Sequence, residues 1–136
     1  MNTSFAKTID ILQRNMATAS LRRQVIANNI ANAETPDFKR SYVNFEAELS
    51  RALASEKLDT PIGVLTHERH IPFSETIDYR DVRPKLVLDY LTAAKNNGNN
   101  VDIERELMQA TENQMLYELM SNAVGFQFDQ IDIVLR

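Results

Sequence analysis

Cysteine and tryptophan are absent from this chain, and glycine occurs only three times. Without Cys there is no disulfide, no thiol nucleophile and no thiolate metal site. Three glycines leave little material for a phosphate-cradling loop, and no P-loop, dinucleotide fingerprint or G-x-S-x-G elbow occurs. Aromatic residues are scarce as well, at 7% against 43% hydrophobic. That balance is thin for a large globular core and ordinary for a helical protein built on Leu, Ile, Met and Ala. No apolar run approaches the roughly 20 residues that span a bilayer, so direct membrane insertion is not expected. The opening "MNTSFAKTIDILQRNM" lacks the charged start and apolar run of a cleaved signal peptide. Any export is therefore expected to use another route. The 15 basic and 19 acidic residues give a net charge of −4, which argues against nucleic acid or an acidic membrane surface as partner.

What the chain does have is helical periodicity at both ends. From Phe5, steps of four and three reach Ile9, Leu12, Met16, Ala19, Arg23, Ile26, Ile30 and Ala33, all apolar except Arg23. This predicts one long amphipathic helix over residues 3–33, with Pro36 as the stop. At the other end Ile103, Leu107, Ala110, Gln114, Tyr117, Ser121, Val124, Phe128, Ile131 and Leu135 repeat the pattern. A parallel stripe adds Met108, Met115, Leu119 and Phe126. Asp102 is the expected N-cap, and Glu104 and Glu106 fall at the positive end of the helix dipole. Two apolar stripes cannot stand in water. The simplest arrangement pairs the two terminal helices with each other as a coiled coil, and with copies or relatives in an assembly.

The middle is different in character. Residues 44–57 read as a short helix on Phe45, Leu49, Ala52 and Leu53. Residues 59–90 carry the other three prolines, both histidines and short β-leaning runs, "GVL" and "KLVLDY". "KNNGNN" at 95–100 reads as a turn or linker. The fold class is therefore mainly α, with a short helix and an irregular, β-leaning middle. The expected organisation is an N-terminal axial helix (1–40), a middle segment (41–100) and a C-terminal axial helix (101–136), the two ends forming one structural unit.

Chemistry finds little support. His67 and His70 have an H-x-x-H spacing, but Pro61, Gly63 and Pro72 argue against the helix that would align them. No carboxylate pair stands in an apolar context suited to acid–base work. No catalytic residue, metal or cofactor is expected, and the basic pairs Arg22-Arg23 and Lys39-Arg40 read as a solvated helix face and flank. The asparagines of "ANNIANAETPDFKR" are less easily dismissed. Amides compete with helical backbone bonds, yet Asn28, Asn29 and Asn32 crowd the end of the first helix. Asn28 and Asn32 are i,i+4 neighbours, and Asn29 lies about 100° round the helix. A polar group in an apolar seam fixes register, so a register-fixing contact in an assembly is expected here.

These residues resemble the N-terminal signature of the flagellar rod, hook and hook-associated axial proteins, A-N-N-[LI]-A-N-x-x-T-x-G-[FY]-[KR]. Ala27, Asn28, Asn29, Ile30, Ala31, Asn32, Thr35, Phe38 and Lys39 match it, and the Thr35-Pro36 variant is similar to the proximal rod proteins. "NNGNNVDIERELMQATENQMLYELM" is similar to the C-terminal segment of basal-body rod proteins. The one departure is Asp37, where the family has glycine, and it leaves the turn after the helix open. The resemblance implies a structural, non-enzymatic subunit of the proximal rod. It also implies export unfolded through the flagellar type III apparatus to the periplasmic rod, and terminal helices that pair to carry torque. Partners would be other copies of the chain, neighbouring rod proteins, and MS-ring and export-gate adaptor components at the rod base. The helix-packing residues would be Phe5, Ile9, Leu12, Met16, Ile26, Ile103, Leu107, Leu116, Leu119, Val124, Phe128 and Ile131. A soluble helical adaptor or secretion chaperone would share the heptads and the acidic balance, but not the Asn–Thr-Pro signature.

Overall fold

A computed structural model describes residues 3–57, 77–92 and 96–135. The chain is mainly helical: α1 (Thr3–Ala31), β1 (Ser41–Asn44), α2 (Glu46–Lys57), a 3-10 turn (Tyr79–Asp81), β2 (Lys85–Leu88) and α3 (Ile103–Leu135). It divides into one unit of Met1–Val43 with Leu86–Arg136 and a second of Asn44–Lys85.

In the first unit α1 and α3 run antiparallel. Phe5 meets Phe128 edge to face at 6.1 Å, Asn113 Nδ2 donates to Ala19 O at 2.9 Å, and Asn29 Nδ2 donates to Glu106 Oε2 at 3.0 Å. The helices are long enough to keep this register over roughly 40 Å at 1.5 Å per residue. No Gly or Pro interrupts α1, and Asp102 caps α3, its Oδ1 accepting from Glu104 N at 3.0 Å.

The seam between them is half apolar and half polar. On α1 one heptad line is Phe5, Leu12, Ala19, Ile26 and Ala33, as the periodicity predicts, and the last three are buried. Beside it runs a second line, Thr8, Asn15, Arg22 and Asn29, of which Asn29 is buried and the other three are half-buried. Ile9, Met16 and Ile30 are half-buried at its margin, and Arg23 is exposed. Polar side chains are tolerated in the seam because they fold back on their own helix. Thr8 Oγ1 donates to Ser4 O, Asn15 Nδ2 to Ile11 O and Thr18 Oγ1 to Arg14 O, at 2.8–2.9 Å. On α3 the inward lines are Glu106, Asn113, Met120 and Gln127, and Ala110, Tyr117, Val124 and Ile131; Glu106 and Asn113 are buried and Tyr117 stays partly exposed.

Strands β1 and β2 form a two-stranded sheet. They run antiparallel, since Asp89 N–H donates to Arg40 O just past the end of both. "KLVL" is a strand as read from sequence; β1 was not foreseen. In the second unit, α2 buries Leu49 and Ala52, Phe45 lies buried just before it, and Leu53 is half-buried. Ser55 Oγ accepts from Ile77 N at 3.1 Å, which ties the chain beyond α2 to its last turn. Asp78 caps the 3-10 turn around the buried Tyr79. The expected "GVL" run and both His67 and His70 lie outside the described residues.

Candidate functional site

The signature stretch is docked against the turn that precedes α3. Asn29 joins it to β1 and to α3. Its Oδ1 accepts from Ser41 N at 3.0 Å and its Nδ2 donates to Ser41 O at 2.8 Å. The amide thus pairs with the backbone of β1 as a neighbouring strand would. The same Nδ2 reaches Glu106 Oε2. Glu106, 0% exposed, receives Arg40 on its other oxygen, with Nε at 2.9 Å and Nη2 at 2.8 Å from Oε1. Arg40 Nη2 also donates to Gln109 Oε1 at 3.1 Å. A buried carboxylate with three donors and a neutralising guanidinium is a satisfied network, which is what low-dielectric surroundings demand.

Two further amides close the arrangement. Asn100 Oδ1 accepts from Arg40 N at 2.6 Å, and its Nδ2 donates to Asp89 O at 2.7 Å and Thr92 Oγ1 at 3.1 Å. Asn99 Nδ2 donates to Asn32 O at 2.9 Å and Thr35 O at 2.8 Å. It thereby ties the residues just past α1 to the turn before α3. The Thr92 hydroxyl, donating to Asp89, holds that carboxyl below its ordinary pKa, helped by backbone N–H groups of Thr92 and Leu91 and by Arg40. Asp37 stands at φ 59, in the left-handed region that the family's glycine would supply. Its N–H donates to Asn97 O at 3.0 Å. Opposite it Gly98 has φ +78, and a Cβ there would collide with the Asp37 carboxylate. Lys39 Nζ donates to Gly98 O at 2.6 Å.

This corrects three readings. Arg40 is no solvated flank but buried in an ion pair. Glu106 is a buried carboxylate rather than a mere dipole charge, and "NNGNN" is more than a turn, since Asn99 and Asn100 are structural. The signature amides also divide. Asn29 acts inside the chain, and Asn32 closes onto Asn28 O of its own helix at 2.8 Å. Asn28 is exposed, as are Ala27, Ala31, Thr35 and Pro36, while Ile30, Phe38 and Lys39 are half-buried. A signal for the missed residues exists in the heptads. Glu106, Asn113 and, two heptads on, Gln127 share one heptad line, and Thr8, Asn15, Arg22 and Asn29 recur every seven residues. Among the described residues Asn113 Oδ1 is the one buried side-chain polar atom without a partner.

The apolar residues of α3 mostly face away from α1. Leu107, Met108, Met115, Leu116, Leu119, Phe126, Ile133, Val134 and Leu135 are all exposed, Leu119 at 65%. Ile103 and Phe128 are exposed too, at 38% and 53%, although Phe128 meets Phe5 of α1, and of the expected α3 packing residues only Val124 and Ile131 are half-buried. On α1, Phe5 and Leu12 are half-buried and Ile26 is buried.

A sequence model of the family described as "Flagella basal body rod protein" matches residues 9–39, most of α1 and the signature turn. Over nearly the whole length the chain is similar to the flagellar basal body rod protein FlgB of Borrelia hermsii, with 41% identity over 97% of this chain and 98% of that protein. The chain belongs to the FlgB family of flagellar basal body rod proteins. FlgB of Borreliella burgdorferi is 40% identical over the same shares, and that of Bacillus subtilis 32% over 96% and 95%. Members are structural rod proteins and not enzymes. Membership sets aside the adaptor and chaperone readings. Among the described residues, no helix is long and apolar enough to cross a membrane.

Proposed function

We propose that this chain is a structural subunit of the proximal rod, exported unfolded by the flagellar type III apparatus and assembled through its terminal helices into a torque-carrying tube. The observation that carries the reading is the uncovered apolar face of α3. A helix face of large apolar side chains is normally buried, and α1 covers a different side of α3. Completion by other copies and by neighbouring rod proteins would bury the rest, with the MS-ring and export-gate adaptor components meeting the lowest subunits. Residues 1–40 and 101–136 act as the axial pair and 41–100 as the segment between them. Ile103, Leu107, Leu116 and Leu119 then pack between subunits. The exposed signature residues, Ala27, Asn28, Ala31, Thr35 and Pro36, face neighbours, and Asn29 holds the turn that presents them.

Export suits this division. A chain that completes its apolar burial only on assembly has little to unfold beforehand. The test is a deletion strain, scored for swimming and for the content of its basal bodies. The expected result is non-motile cells whose basal bodies keep the ring and lack the rod. A complete rod in that strain contradicts the proposal.

A further inference from the structure

The turn before α3 holds the chain's one Asn-Gly pair, Asn97-Gly98. The side-chain amide of an asparagine is open to attack by the backbone nitrogen of the next residue. A Cβ on that residue obstructs the approach, and glycine has none. Asn97 is exposed and Gly98 only half-buried, so water and hydroxide reach the pair. The surrounding hydrogen bonds favour the attack. Asp37 N–H donates to Asn97 O at 3.0 Å, which draws electron density from that peptide group and makes the Gly98 N–H more acidic. Asn99 N–H donates to Asn97 Oδ1 at 3.2 Å, where negative charge gathers as the amide carbon becomes tetrahedral.

The same turn holds the polar end of the hairpin together. Asn97 O receives Asp37, and Gly98 O receives Lys39 Nζ at 2.6 Å. The next two residues are the buried amides: Asn99 bonds Asn32 O and Thr35 O, and Asn100 accepts from Arg40 N. One extra main-chain atom between Asn97 and Gly98 would carry these groups out of hydrogen-bond reach. Buried donors and acceptors left unpaired are costly.

We propose that Asn97 is a self-modifying site: in the folded chain it cyclises with Gly98, loses ammonia and reopens largely as isoaspartate, which unlocks the turn. Hydroxide takes the proton of Gly98 N, and that nitrogen bonds to Asn97 Cγ. Nδ2 then leaves as ammonia, with a proton from water. Water opens the resulting succinimide at either of its two carbonyls. Opening at the backbone carbonyl leaves isoaspartate, with the main chain routed through Asn97 Cβ and Cγ and longer by one atom. Opening at the side-chain carbonyl leaves ordinary aspartate. Water is the only co-reactant. The chain thus carries a one-way chemical clock in the turn that clamps its signature to α3.

The test holds purified full-length protein, folded, in warm buffers from mildly acidic to mildly alkaline. Peptide mapping by mass spectrometry follows the exchange of NH2 for OH at each asparagine, and enzymatic methylation reports isoaspartate. Asn97 should convert several times faster than any other asparagine, and faster as pH rises. The isoaspartate-bearing protein should melt below the unconverted protein. Asn97→Asp adds the charge without rerouting the chain and should melt close to the original, and Asn97→Gln should take up no methyl label in this turn. An Asn97 that stays intact in the folded protein, or converts no faster than the other asparagines, overturns the proposal. Conversion to aspartate alone, or isoaspartate-bearing protein that melts like the original, overturns the unlocking.

Discussion

At one end of the α1–α3 hairpin a carboxylate, a guanidinium and two amides lie buried and bonded to one another; along the outside of α3, Met, Leu, Phe and Ile side chains face water. This reverses the usual division between a protein's interior and its surface. The polar end depends on geometry, because each bond needs its partner at a set distance and angle. The apolar face depends on area, and area can be completed by any neighbour of the right shape. The contrast teaches that the chain fixes its own register with directional bonds and leaves its non-directional contacts for assembly. Covering the outer α3 side chains Met108, Met115, Leu119, Phe126 and Ile133 should contribute about 1–2 kcal/mol each, together comparable with the several kcal/mol that association costs.

The comparison breaks most visibly at the ion pair. Glu106→Ala leaves the Arg40 guanidinium buried without its carboxylate, and removing one partner of such a pair costs about 3–5 kcal/mol. Circular dichroism of the purified variant should show a clear loss of helix and a lower melting temperature. Unchanged helicity and melting would mean that the buried network contributes little.

A smaller effect separates two adjacent amides. Asn29→Ala strands Ser41 N–H and one Glu106 oxygen, at a cost of about 1–3 kcal/mol. Asn28→Ala, at an exposed position, should change stability by less than about 0.5 kcal/mol. Paired denaturation curves check this, and equal shifts would sink the distinction between an inward and an outward asparagine. The smallest effect sharpens the other side of the contrast. Nothing lies within 4 Å of a Cβ built at Gly125, so Gly125→Ala should stabilise the isolated chain by roughly 0.5–1 kcal/mol. If motility is lost despite that gain, a neighbouring subunit's backbone passes over Gly125.

Much of this architecture could be read from the residues. The two terminal helices, the helix on Leu49 and Ala52, the Asp102 cap and the "KLVL" strand rest on local periodicity and capping, which act within a few residues. The polar network was hidden because its members lie 60 or more residues apart. Arg40, Glu106, Asn99 and Asn100 look individually like a flank, a dipole charge and a turn. The stripe through Ile103 and Leu107 supplies one seam line, through Ala110, Tyr117, Val124 and Ile131, while the parallel stripe through Met108, Met115, Leu119 and Phe126 stays outside. Here the intrachain seam carries a polar line, and the richer stripe faces out. The left-handed conformation at Asp37 was legible only as a question, since Asp tolerates it without requiring it.

The central claim, that the α3 face serves neighbours rather than the chain itself, is tested most directly by the rod content of basal bodies from cells carrying Leu119→Asp. The side chain is 65% exposed in the single chain, so the purified variant should keep its helicity. In an assembly the same carboxylate would be buried unpaired, costing several kcal/mol at every copy. The account predicts secreted, helical protein and basal bodies that have rings and lack rods. Complete rods containing the Asp variant would contradict it.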